Sequence, residues 1–286
     1  MRPDGPQDLK SSAGSTVTLP RDVCDLLDIA YPTPVGRIGN TRIDTPDGAV
    51  WVKTVEPPRR SLNTLILPTI SFLAPAPILR RSKAGKGGDT LLRQAQRIRA
   101  LHTMGLSVPT IRYADRDLLI TADCGQTMER FVRYADARNE HGLDETGVRD
   151  IIMEITRTLA DMHRHGTAHG RPKVRDFAWR NGKVTILDLE EQPEEVMPIA
   201  DAQARDIFLW VHDLCSAELS RKIAPDSVAL LCATMTDATR GSMRRFLRLL
   251  RIAALPARLM LRVLPKNREL TSGIAAHDIL RDTFST

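Results

Sequence analysis

The segment from His163 to Glu190, HRHGTAHGRPKVRDFAWRNGKVTILDLE, concentrates the residues best suited to chemistry. A His-Gly pair, His169 and Gly170, is followed by Asp176 seven positions after the histidine, and a hydrophobic run from Val184 to Leu187 ends in Asp188. Carboxylates delivered by a loop and by a strand end are hard oxygen ligands of the kind a divalent cation needs. Arg171 lies two residues after His169. A guanidinium stays protonated at any physiological pH, so it can stabilise negative charge but cannot accept a proton. Far upstream, Lys53 closes the run VWVK and offers a second fixed cation. Singly, each residue has an ordinary reading: a lysine on a strand surface, a histidine holding a loop, an aspartate in a strand-end turn. Their order along the chain separates them from that background.

These residues need elements to carry them. From Val35 to Val55 the signals are those of strands, with Asp47-Gly48 as a hairpin turn between TRID and AVWVK. Pro57 to Gly88 reads as irregular, an apolar stretch broken by Pro68, Pro75 and Pro77 and followed by the Gly-rich KAGKGG. A helix over Asp89 to Leu101, capped by Asp89 or Thr90 and closed by Gly105, precedes two short strands near 110–113 and 117–121. A linker at Ala122 to Gly125 and a helix capped by Thr127 follow. The clearest helix runs from Asp144 to His163, where Val148, Ile151, Ile152, Ile155, Leu159 and Met162 form one apolar face and lead the chain directly to His169. Another spans Ala202 to Ala217, and the rest of the chain is mostly helical.

The organisation expected is a flexible stretch 1–20, a β-rich lobe 21–122, a helical lobe 123–237 and a basic helical extension 238–286. Four dispersed cysteines with no C-x-x-C pair read as buried thiols in a reducing compartment. No leader pattern opens the chain and no apolar run reaches about eighteen residues, so the expected location is the cytoplasm. The net charge of +6 is uneven: nine Lys or Arg and no Asp or Glu lie between Ala238 and Arg268, so the remainder is net acidic.

Together these features resemble the lipopolysaccharide-kinase-like branch of the protein-kinase-like superfamily, which includes the Kdo and heptose kinases and is distantly related to the RIO and KEOPS kinases. The resemblance spans roughly Val35 to Ala217. It implies an α+β, bilobal fold with a β-rich first lobe and a helical second one, and a function in ATP- and Mg²⁺-dependent phosphoryl transfer to a lipopolysaccharide-type sugar or related envelope glycolipid. On this resemblance Lys53 contacts the nucleotide phosphates, with Gln94 where the family has a lysine-pairing Glu. Asp123 and Cys124 form the adenine hinge, and Asp176 and Asp188 hold the metal. His169 belongs to the catalytic loop, where Arg171 replaces the usual catalytic Asp. An Asp in place of Asn at 176 keeps an oxygen ligand, while Gln94 offers Lys53 only a neutral amide. Arg171 leaves two outcomes open: a charge stabiliser near the γ-phosphate, or a filled site and a pseudokinase that serves as a regulator or scaffold.

Two further readings concern single elements. Asp206, in ARDIFLWVHDL, resembles the helix carboxylate that braces the catalytic loop in such folds, against the plain alternative of a polar residue near a helix start. In MRRFLRLLRIAALPARLMLRVLP, Arg244, Arg248, Arg251, Arg258 and Arg262 recur on one helical face, and Pro256 is expected to kink or split the helix. Such a face suits an anionic membrane surface, or is simply solvated over a buried apolar side. A peripheral membrane module with a vestigial kinase-like lobe is the reading from another class. Nucleic acid is disfavoured because no aromatic stacking platform accompanies the charge.

Overall fold

The computed structural model describes residues 16–36, 39–55, 78, 89–129, 131–132, 144–263 and 267–284. The expectations for residues 1–15, and those for the Pro-broken apolar stretch and KAGKGG apart from Ile78, lie outside the described residues. The chain forms two compact units. One comprises Met1–Arg59, Gly85–Ala95 and Thr110–Asp123; the other comprises Arg60–Ala84, Gln96–Pro109 and Cys124–Thr286. The fold is α+β, with the sheet-rich unit first and the helical unit second.

In the first unit, strands β1 (Thr16–Thr18) and β2 (Pro34–Gly36) pair as a ribbon around helix α1 (Arg21–Leu26). Strands β3 (Gly39–Ile43), β4 (Val50–Thr54), β5 (Ile111–Ala114) and β6 (Leu118–Ala122) form an antiparallel sheet in the order β3-β4-β6-β5. β4 alternates inward Val50 and Val52 with exposed Trp51, the period-2 pattern of a sheet with one covered face. Leu19, Val23, Cys24, Val35, Leu118 and Ile120 pack with that inward face. The 1–20 stretch is therefore not wholly loose: Thr16–Thr18 is a strand and Leu19 is core, because its apolar side chain completes this cluster. The β3–β4 turn bends at Thr45, whose carbonyl accepts from Gly48 N–H at 3.0 Å. Pro46 at the second position and Gly48 at φ +107° suit that turn.

Helix α2 (Asp89–Thr103) contributes its first half to one unit and its second half to the other. It stops at Gly105, which lies at φ +84°, and Leu106 N–H reaches back to the Leu101 carbonyl at 3.1 Å. In the second unit, strands β7 (Gln126–Thr127), β8 (Phe177–Arg180) and β9 (Lys183–Ile186) form a small antiparallel sheet. Helix α3 (Glu145–Arg164) has Asp144 as its cap, the carboxylate accepting from Gly147 N–H at 2.8 Å. Its buried stripe of Val148, Ile152, Ile155 and Leu159 is the one the sequence periodicity marks.

Helix α4 (Ile199–Leu214) starts three residues earlier than expected, directly after Pro198, and ends three earlier, at Leu214, with Cys215 as its cap. Helices α5 (Glu218–Thr234), α6 (Asp237–Val263) and α7 (Arg268–Phe284) complete this unit. Two expectations change here. The 238–286 segment is no appendage, because Met243, Phe246 and Leu247 are buried and Phe246 meets Phe208 of α4 edge-on at 5.3 Å. The helical assignment of α6 also runs through Pro256 without a break. Among the described residues no helix is long and apolar enough to cross a membrane.

Candidate active site

α4 braces the loop after α3 from beneath. The fully buried Asp206 carboxylate accepts from the backbone N–H groups of His169 (2.5 Å) and Gly170 (2.8 Å) and from His163 Nε2 at 3.2 Å. A carboxylate removed from water is tolerable only when hydrogen bonds replace its hydration, and these three do so. One turn earlier, Gln203 donates to the carbonyls of His163 (2.8 Å) and Thr167 (3.2 Å) and accepts from the Thr239 hydroxyl at 2.8 Å. The brace inferred for Asp206 is thus present in the hydrogen bonds.

His169 is buried, not presented to a substrate. Its Nε2 bonds the Leu187 carbonyl at 3.1 Å, which requires the proton on Nε2. Burial pushes its pKa down, so the ring is neutral and this tautomer is available. Nδ1 has no partner among the described residues. The ring lies 5.9 Å from Phe177, which meets Trp210 edge-on at 6.0 Å. His169 therefore pins the loop to the residue immediately before Asp188. Gly170 adopts φ +106°, and a Cβ there would lie 2.6 Å from Glu191 Cβ, so both conformation and space require glycine.

Asp213 fixes the far end of the loop by accepting from Val174 N–H at 2.9 Å. A 3-10 turn, Val174–Asp176, then leads into β8. β8 and β9 are joined by Asn181-Gly182, both at positive φ (50° and 79°), the two-residue turn that Asn-Gly favours. β9 is held in turn by Ile186 N–H on the Ser107 carbonyl at 2.8 Å. Leu187 N–H bonds the Asp176 carbonyl at 2.7 Å, and the chain turns through Asp188 at φ +52°.

Asp176 and Asp188 are brought together by this hairpin. The Asp176 carboxyl is pushed up to about 7, first by burial and then by the charge of Asp188, against the pull of Arg175 and Arg171. Arg175 Nε approaches Asp176 Oδ1 at 3.6 Å. Two carboxylates whose mutual repulsion is only partly offset form a site that favours added positive charge. No group of three or more His, Cys, Asp or Glu among the described residues is arranged to hold a metal. The pair fits Mg²⁺ in the mode that uses one or two carboxylates and completes its shell with waters and substrate phosphates.

Arg171 is about half exposed, with Nε 3.8 Å from Glu191 Oε1. Glu191 is held more closely by Arg205, at 3.2 Å. In the first unit, Lys53 lies on β4 opposite Leu119 and Asn40, and Gln94 is buried on α2 with Oε1 lacking a partner among the described residues. Asp123 is committed within that unit: its carboxylate accepts from Trp51 Nε1 at 2.9 Å and its N–H donates to the Ala49 carbonyl at 2.9 Å. Cys124 is half-buried, forms no disulfide, and begins the last segment of the second unit.

Arg97 was not singled out by sequence reasoning. This buried side chain on α2 donates to the carbonyls of Ala168 and Glu191 and pairs with Glu194 at 3.4 Å. It ties the residue before His169 to the segment after Asp188. Burial lowers its pKa, and Glu194, Asp206 and Glu191 oppose that shift.

No protein-family model matches the chain. An uncharacterized protein of Haemophilus influenzae is 28% identical over 131 residues, which is 46% of this chain and 51% of that protein. The chain thus matches about half the length of that curated relative. Among solved structures, it is similar to WaaP in complex with acyl carrier protein, at 16% identity and TM-score 0.45, over 74% of this chain and 80% of that one. It is also similar to the maize SIRK1 (sucrose-induced receptor kinase 1) kinase domain bound to AMP-PNP, at 12% identity and TM-score 0.34, over 86% and 89% of the two chains.

Proposed function

We propose that the chain is a kinase-like phosphotransferase that binds ATP with Mg²⁺ and phosphorylates a lipopolysaccharide-type sugar or related envelope glycolipid. The observation that carries the nucleotide and metal part is the Asp176–Asp188 pair, held on a braced loop and a hairpin end with its charge only partly offset. Asp176 and Asp188 would hold the ion, which supplies positive charge to the triphosphate. On the sequence resemblance alone, Lys53 of the first unit is the lysine that contacts nucleotide phosphates, with Gln94 at the position of its usual Glu partner. His169 acts by position, holding the Leu187 carbonyl. Arg171 contributes charge and takes no proton. The acceptor class rests on the sequence resemblance alone.

One observation favours a second reading, a pseudokinase acting as regulator or scaffold: the base position carries a cation, and general-base catalysis typically contributes about 10²- to 10⁴-fold. Phosphoryl transfer relies mainly on positioning and electrostatics, so loss of the base alone does not abolish it. ATP and Mg²⁺ should raise the melting temperature in either case, and Asp188→Ala should remove the Mg²⁺-dependent part. Release or transfer of the γ-phosphoryl separates the readings: an enzyme loses turnover in Arg171→Ala, whereas a blocked site gains it in Arg171→Asp. An unchanged melting response in Asp188→Ala would sink the site assignment.

Membrane association is part of the same proposal. Arg244, Arg248 and Arg251 are exposed on α6 beside Ile252, which is 76% exposed. Arg245 and Arg258 are drawn to Asp201 (3.4 Å) and Asp278 (2.5 Å), so the basic face is narrower than the sequence count implies. We place this face on the inner surface of the cytoplasmic membrane.

A further inference from the structure

We propose that Arg171 and Arg175 form an oxyanion-binding pair beside Asp176, and that the pair takes a phosphate or carboxylate group carried by the acceptor. This rests on the phosphotransferase reading above and narrows its substrate to acidic acceptors.

Three observations support it. The first is location: both guanidiniums act electrostatically on the Asp176 carboxyl, and Arg175 Nε lies 3.6 Å from it. The second is that their donor forks are unspent. Arg171 meets Glu191 through Nε at 3.8 Å and Arg175 meets Asp176 through Nε at 3.6 Å, both too long for hydrogen bonds. Among the described residues no hydrogen bond is formed by the terminal nitrogens of either. Other arginines of the same unit use theirs on carbonyls, Arg221 on Cys215 at 2.8 Å and Arg240 on Cys232 at 2.9 Å. A planar fork with free amino groups is the group that recognises carboxylate and phosphate in two-point fashion.

The third observation is the way the loop is held. Gly170 N–H is fixed by Asp206 and Val174 N–H by Asp213, while Pro172, Val174 and Asp176 point inward. Arg171 and Arg175, about half exposed at 51% and 50%, alternate outward from this fixed backbone. The braced backbone fixes where both guanidinium stems start, which lowers the cost of ordering the two side chains on a ligand. The acceptor side is favoured over the nucleotide because Arg171 stands where the catalytic loop of kinases presents its residue to the acceptor hydroxyl.

The test is calorimetric titration of the full-length chain with glucose 6-phosphate and with glucose, each in saturating ADP and Mg²⁺. Glucose 6-phosphate should bind, glucose should not, and Arg171→Gln/Arg175→Gln should weaken the phosphosugar at least about tenfold while ADP affinity stays within about twofold. Competition between glucose 6-phosphate and ADP, with the double variant losing ADP affinity, would assign the pair to the nucleotide and overturn the proposal. So would equal binding of glucose 6-phosphate to both proteins, or no binding to the wild type. If ADP itself fails to bind the wild type, the nucleotide reading falls, and the phosphosugar titration without ADP decides the arginine pair separately.

Discussion

Asp176→Asn should stabilise the metal-free protein above neutral pH and keep an oxygen ligand for Mg²⁺, while removing the pH dependence of the Mg²⁺ response. The native Asp176 carboxyl titrates near 7 instead of 3.8, because it is buried and faces Asp188. Between those values the folded protein keeps a proton that the unfolded chain has released. Stability therefore falls as pH rises from about 4 to about 7 and is level above that range. A shift of about three units corresponds to at most about 4 kcal/mol, since each unit is about 1.36 kcal/mol. Solvent relaxation reduces that figure, but the side chain is only 5% exposed, so much of it should survive. Asn has nearly the same shape and no charge to lose. Urea denaturation of both proteins without divalent ions, at pH 4 and pH 8, isolates the effect because the other groups cancel. The stability difference in favour of Asn should grow by roughly 2 to 4 kcal/mol across that range. Mg²⁺ must displace the proton, so metal binding to the wild type should strengthen with pH up to about 7, and that pH dependence should vanish in the variant, whose amide oxygen carries no proton to displace. A variant with wild-type stability at both pH values would refute the electrostatic reading of the pair.

Other perturbations test the frame around it. Gly170→Ala meets both a positive φ and Glu191 Cβ at 2.6 Å, so it should destabilise by about 2 kcal/mol or more. Gly105→Ala, at a positive φ with open space around it, should cost only about 1 kcal/mol in the same melts. Arg97→Met strands two carbonyls and Glu194, a loss of about 3 kcal/mol or more by chemical denaturation, and Arg97→Lys should recover little because one ammonium cannot match the fork. Replacing Arg244, Arg248 and Arg251 by Gln should reduce sedimentation with anionic vesicles, each cation contributing on the order of 1 kcal/mol, and leave nucleotide binding intact. Equal sedimentation of the wild type with neutral and anionic vesicles would make the face merely solvated.

Much of this frame can be read from local sequence, because local patterns specify it. The apolar stripe of α3 and its Asp144 cap need no tertiary information, and neither does the hairpin at Asn181-Gly182, which lies between two short apolar runs. Arg97 is different. An arginine on a helix of alternating polar residues ordinarily points to water, and only the approach of the Ala168 and Glu191 carbonyls turns this one inward. Nothing in its neighbours along the chain signals those partners, which lie 71 and 94 residues away. The C-terminal segment misleads for a related reason: charge counted along the sequence ignores Asp201 and Asp278, which come from other helices.

The same distinction separates the carboxylates of the second unit by task. Asp206 and Asp213 spend their oxygens on backbone N–H groups, so their charge is absorbed in holding the loop. Asp176 is as deeply buried as Asp213, yet its flanking arginine stays at 3.6 Å and its nearest carboxylate repels it. Two neighbouring carboxylates are thus spent on holding the loop and the third is left short of positive charge, which is why the proposed metal site is centred on Asp176. The sequence supplies all three aspartates in the right order, but only the hydrogen bonds show which of them is left with work to do.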